Sequence, residues 1–105
     1  MIRIEERFRP PDGADWVRLH ALICDERGTV CPFADDEIEF AIEGNSTGEA
    51  RILGNRGIGA NPVRAEAGIA TVLLQAGRTA GKIAVLASAF GLTAGRAEII
   101  SISPV

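Results

Sequence analysis

The chain contains no tyrosine, one tryptophan and four phenylalanines, which leaves little material for the flat aromatic platform on which a pyranose ring could stack. It has a single histidine, His20, and two cysteines, Cys24 and Cys31, too few soft ligands for a zinc site. No run approaches the roughly 20 apolar residues of a membrane-spanning helix. Glu5 and Glu6 follow Met1 so closely that no apolar signal core can form. With 11 basic against 14 acidic residues, a net charge of −3 and no basic tract, nothing attracts phosphate backbones or anionic lipid. These shortages predict a soluble chain without an address, with no nucleic acid, membrane, metal or cofactor among its partners. Helices are also absent from the pattern: twelve glycines are spread along the chain, and no dozen-residue segment carries apolar positions three and four apart without interruption.

What is present is alternation. Hydrophobic residues make up 47% of 105 residues, enough for one core and one domain spanning 1–105. Ile2 and Ile4 alternate with Arg3 and Glu5 until Pro10-Pro11-Asp12-Gly13 breaks the run. Val17, Leu19, Ala21 and Ile23 oppose Arg18 and His20, with Leu22 blurring the pattern, and Ile38, Phe40 and Ile42 oppose Glu37, Glu39 and Glu43. Arg51 to Leu53, Val63 to Glu66 and Arg96 to Ile102 read as further short strands. Gly68 to Leu92 reads as two strands joined by a tight connection between Gly77 and Gly81, a hairpin. The expectation is an all-β antiparallel sandwich of about seven to eight strands, with 54–62 as its longest loop.

Reactive groups are hard to assemble from this sequence. Asp35, Asp36, Glu37, Glu39 and Glu43 fall in a turn and along the polar face of one strand, the setting of a solvated acidic face rather than of two carboxyls sharing a pocket. His20 and Cys24 are four residues apart, about 13 Å on an extended chain, too far for a direct hydrogen bond. Asp12, Asp15, Asp25 and Asp35 lack EF-hand spacing. Gly54-Asn55-Arg56-Gly57-Ile58-Gly59 has the wrong glycine order for a phosphate loop and no following lysine. Asn45-Ser46-Thr47 fits the glycosylation triplet and no more. Cys24 and Cys31 flank the turn-forming Asp25-Glu26-Arg27-Gly28; residue 24 should face about residue 29, which leaves the cysteines offset rather than opposed. The remaining candidates are contact residues. Trp16 opens a strand, where a large ring covers the end of a core or meets a neighbouring domain, and Asn55 and Arg56 lie in the loop best placed to touch a sugar or another domain.

Taken in order, these pieces resemble a known family. Asp12-Gly13 with Asp15, the Asp25-Glu26-Arg27-Gly28 turn, Val30, Pro32, Ala34-Asp35 and the Ile38 to Gly44 strand are similar to the C-terminal immunoglobulin-like domain of glycoside hydrolase family 2, the β-galactosidase type. Ile52-Leu53-Gly54-Asn55, Val63 to Ala70 and Gly81-Lys82-Ile83-Ala84-Val85 continue the likeness to about Ile100. The loop after the Ile52-Leu53 strand departs from it, being shorter than the family's Gly-x-Gly-Asn-Gly excursion. The resemblance implies an immunoglobulin-like sandwich, a fragment of a larger enzyme, whose partners are the other domains of the parent. That family's two glutamates stand on a (β/α)₈ barrel of about 250 residues, more than this chain can hold. It thus implies an accessory domain with no catalytic residue of its own. A free-standing immunoglobulin-like binding or adhesion module and a carbohydrate-binding module remain alternatives, and the oligomeric state and compartment stay open.

Overall fold

Burial follows the period of two that the sequence carries. In Glu37–Ile42 the side chains of Ile38 and Phe40 are buried while Glu37, Glu39 and Ala41 are exposed. The computed structural model describes residues 1–8, 16–48, 50–53, 62–76 and 81–101. Within these it has eight strands, β1 (Ile2–Phe8), β2 (Trp16–Ile23), β3 (Glu37–Ile42), β4 (Ala50–Leu53), β5 (Val63–Arg64), β6 (Ile69–Ala76), β7 (Gly81–Ser88) and β8 (Gly95–Ser101). They form two four-stranded sheets, ordered β1-β2-β6-β4 and β5-β3-β7-β8, and every pairing is antiparallel. The result is an immunoglobulin-like sandwich, the architecture that the alternation and the family resemblance both imply.

The inward faces meet in one core. Leu19 lies opposite Val72, Val17 opposite Leu74 and Ala21 opposite Ala70 on one sheet; Phe40 lies opposite Ala87, Ile42 opposite Val85 and Ile83 opposite Ile99 on the other. Phe40, Leu19, Ile38, Ile83, Val72 and Val85 are the largest fully buried side chains. Each withdraws enough apolar surface to contribute about 1.5–3 kcal/mol. Leu22, which blurred the alternation of β2, points to the outer face opposite Arg3 and Ile69, and it is buried there apart from the core cluster.

One expectation is overturned. The Gly68 to Leu92 run is not a hairpin: β6 pairs with β2 and β4, whereas β7 pairs with β3 and β8 in the other sheet. Alternation states which side chains share a face but not which strand lies alongside, and two consecutive strands of a sandwich satisfy the same pattern in either arrangement. The tight two-residue loop comes earlier, at Ala67-Gly68. Glu66 and Ile69 exchange backbone hydrogen bonds of 2.9 and 3.1 Å across it, and both central residues have positive φ, 52° for Ala67 and 82° for Gly68. This is the requirement of the hairpin turns whose twist matches that of the flanking chain.

The segment after β3 stays on β7 by another device. Glu43 donates its N–H to the Ala84 carbonyl at 2.8 Å. The hydroxyls of Ser46 and Thr47 then take the place of a partner strand, accepting from the N–H groups of Ala84 at 3.0 Å and Lys82 at 2.9 Å. Two members of the glycosylation triplet are therefore engaged in holding β7.

One pole of the sandwich joins the sheets. Ile2 donates its N–H to Thr93 in the β7–β8 turn, Cys24 donates to Met1, Cys31 to Ile23 and Gly68 to Ala34. The start of β1, the 25–36 segment, the 67–68 turn and the 88–94 turn thus gather at the same end.

Candidate functional site

The residues chosen from the sequence as contact candidates are placed unevenly. Trp16 heads β2 with its Cα opposite Gln75, and its side chain lies outside the described residues. Asn55 and Arg56 lie outside the described residues altogether, as do Asp12 and Asp15. His20 stands on the outer face of β2, between Glu5 and Thr71 in register. There it lines, with Arg18, Thr71, Val72 and Leu73, an open depression of about 400 Å³. Among the described lining residues there is no carboxyl, and so no pair of the glycosidase kind.

The cysteines sit in the turn that was expected to separate them, with a register one residue longer. Cys24 faces Val30 rather than residue 29, because Asp25 closes a wider loop: its carboxylate accepts from the N–H groups of Arg27 at 2.9 Å and Thr29 at 3.0 Å. Both thiols are free. Cys31 packs against the core, whereas Cys24 is buried apart from the core cluster, with its Sγ toward the Leu22 carbonyl. Among the described residues no three His, Cys, Asp or Glu side chains gather closely enough to hold a metal ion.

The outer face of the second sheet is less acidic in space than in sequence. Arg64 of β5 reaches Glu37 at 3.4 Å and Asp35 at 4.0 Å. Arg96 of β8 grips Glu43 at 3.0 Å and Glu98 at 2.8 Å, and Lys82 of β7 adds a contact to Glu98 at 3.4 Å. The Arg96 guanidinium is held above its ordinary value by its hydrogen bonds to Glu98 and then Glu43. The Glu98 carboxyl is held below its ordinary value by hydrogen bonds from Arg96 and then Lys82. Both groups are exposed to solvent, where such pairs are screened and contribute little to stability. The acidic strand face is therefore solvated, as expected, and cations from neighbouring strands offset part of its charge: Arg64, Lys82 and Arg96 stand against six carboxylates. No carboxyl on it is desolvated in a pocket, as a general acid must be.

A feature that the sequence reading passed over lies at the joined pole. Among the described residues the exposed large hydrophobic side chains are Met1, Phe33 and Phe90, the two phenylalanines at 95% and 101% exposure. They come from three segments that the backbone hydrogen bonds of Ile2, Cys31 and Gly68 bring to one end. The signal was available: each phenylalanine is an aromatic residue set in a turn, Phe33 after Pro32 and Phe90 before Gly91, where no strand alternation accounts for it.

Comparison with known proteins places the sandwich among similar chains. The family model described as glycoside hydrolase family 2 C-terminal domain 5 matches residues 6–98. A curated β-galactosidase of Thermoanaerobacter pseudethanolicus is 35% identical over 72 residues, which is 69% of this chain but 8% of the relative's length. Among solved structures, the β-glucuronidase of Parabacteroides merdae superposes with a TM-score of 0.76 over 95% of this chain and 12% of its own, at 22% identity. Another β-glucuronidase from glycoside hydrolase family 2 gives a TM-score of 0.78 over 97% of this chain and 11% of its own, at 20% identity. A family 2 member from Bacteroides cellulosilyticus gives 0.75 over 97% and 14%, at 22% identity. Likeness at such identities concerns the fold, and this chain corresponds to a small part of each of these proteins. The family match covers nearly the whole sandwich, and on that ground the chain belongs to the glycoside hydrolase family 2 C-terminal domain 5 family, a small accessory domain of glycoside hydrolases.

Proposed function

We propose that this chain is the non-catalytic C-terminal module of a family 2 glycoside hydrolase of the β-galactosidase type, and that it serves by packing against the parent's other domains. The observation that carries the reading is one of proportion: the matched domain accounts for 8% of the β-galactosidase that it resembles in sequence. The bulk of such an enzyme, including room for a barrel and two catalytic glutamates, lies beyond 105 residues. The carboxyls of the charged sheet face support the same reading, since those of Glu37, Glu43 and Glu98 are engaged by Arg64, Arg96 and Lys82 in exposed ion pairs. The galactoside assignment follows the relative at 35% identity rather than the glucuronidases, which share the fold at 20–22%.

The test is turnover of nitrophenyl β-galactoside and nitrophenyl β-glucuronide by two preparations, the polypeptide encoded by the complete gene and the 105-residue chain. The galactoside should be hydrolysed by the first and by neither substrate should the second show turnover. Hydrolysis by the 105-residue chain overturns the non-catalytic assignment, and preference of the complete polypeptide for the glucuronide overturns the galactoside one.

A further inference from the structure

We infer that the joined pole, marked by Phe33 and Phe90, is the surface by which this domain docks onto the polypeptide that precedes it in the parent enzyme. The inference rests on the reading proposed above and assigns the partner to one face of the domain. An exposed aromatic side chain is unremarkable singly. Two at 95% and 101% exposure, with Met1 at 51%, carried by three separate segments that backbone hydrogen bonds bring to one end, make that end the apolar part of the described surface and the kind of feature that marks an interaction site. Aromatic anchors of this type carry a large share of the binding energy of protein interfaces.

The occupant follows from the course of the chain. β1 starts at this pole, where Ile2 donates to Thr93 and Met1 accepts from Cys24. Any residues that precede Ile2 in a longer polypeptide therefore leave the sandwich at the pole whose 88–94 turn carries Phe90. The family is by description a C-terminal domain, and its structural relatives hold 86–89% of their length outside the matched part. The preceding domain is thus tethered at the pole that carries Phe33 and Phe90, at a high effective concentration, and needs to bury little area to stay there. The outer face of the second sheet is a poorer choice: it carries six carboxylates with the cations Arg64, Arg96 and Lys82, and burying so many charges costs desolvation that an apolar pole does not.

Hydrogen exchange compares the complete polypeptide with the 105-residue chain, with galactoside turnover measured on the same preparation of the former. Slowing of at least tenfold across loops 31–36 and 88–94 in the complete polypeptide is the expected result. The double variant Phe33→Ser, Phe90→Ser should return those loops to the rate of the 105-residue chain. Its melting temperature in the 105-residue chain should stay unchanged, since both rings are exposed there. Protection of the Arg18 to His20 face instead overturns the docking assignment while leaving the accessory role intact. Unchanged protection in the double variant overturns it too. Absence of any protected surface, in a polypeptide that turns over galactoside, removes both the docking pole and the packing role. Concentration-dependent dimerisation of the 105-residue chain that the double variant abolishes assigns the pole to a second copy and overturns the inference.

Discussion

The carbonyl of Ile2 occupies the space that a β-carbon on Gly95 would take, so the first and last strands of the domain touch through bare backbone. Gly95 has no positive φ; it is required for closeness, not for conformation. Replacement by alanine must push β1 away from β8 and strain the bond from Ile2 to Thr93, at 2.9 Å in the present arrangement.

Gly95→Ala should therefore lower stability by about 1–3 kcal/mol, the cost of overpacking a fitted contact. Urea denaturation with an unchanged slope would register it as a shift of midpoint. Gly44→Ala is the control, since a β-carbon there meets nothing within 4 Å, and it should stay within about 0.5 kcal/mol of the parent chain.

Ala67 is an alanine in a position suited to asparagine or glycine. Its φ of 52° places it where an L-residue with a β-carbon is strained by roughly 1–2 kcal/mol. Ala67→Asn should recover part of that strain and raise stability by about 0.5–1 kcal/mol. The neighbouring Gly68→Ala should act in the opposite direction by about 1–3 kcal/mol, because its β-carbon would run into the Cys31 carbonyl and the Val30 side chain. Thermal melts of the two variants read both signs, and destabilisation by Ala67→Asn would refute the turn assignment.

Ser46 and Thr47 separate a partly buried from an exposed hydrogen bond. Ser46→Ala leaves the N–H of Ala84 without its acceptor in a partly buried setting and should cost about 1–2 kcal/mol. Thr47→Val frees the N–H of Lys82, which lies exposed and can turn to water, so about 0.5 kcal/mol is expected. Amide exchange at Ala84 should quicken in the first variant alone.

Glu98 sets the sign of one pH effect. Its carboxyl is held below the ordinary glutamate value of about 4.5, so between the two values the folded chain binds fewer protons than the unfolded one. Stability from this group is present above the ordinary value and is lost as pH falls through the lowered one. Denaturation profiles between pH 6 and pH 2, expected window on the order of the carboxylate range, should fall less steeply for Glu98→Gln. High salt should bring the two profiles together, since the pair is exposed.

The strands were legible because a half-buried strand writes its burial into every second residue: Ile38, Glu39 and Phe40 could be assigned to faces from the sequence, and the structure assigns them alike. Pairing was not legible. Ile69–Ala76 and Gly81–Ser88 look like a hairpin because they are consecutive, yet their partners are β2 and β3. The ion pairs of the acidic face were hidden for a similar reason, since Arg96 lies 53 residues from Glu43 and Arg64 lies 27 from Glu37. Of the candidate site, Asn55 and Arg56 lie outside the described residues. Phe33 and Phe90 escaped notice because exposure in a turn is a property of the surrounding chain rather than of the residue.

The placement of the two cysteines carries a last consequence. Cys31 looks into the core and Cys24 is buried away from it, so a bridge between them would require one thiol to pass through the ribbon that separates them. Oxidant has no second native state to select within this domain. Reduced and oxidised surroundings therefore meet the same arrangement of these two side chains, each held on its own side of the ribbon.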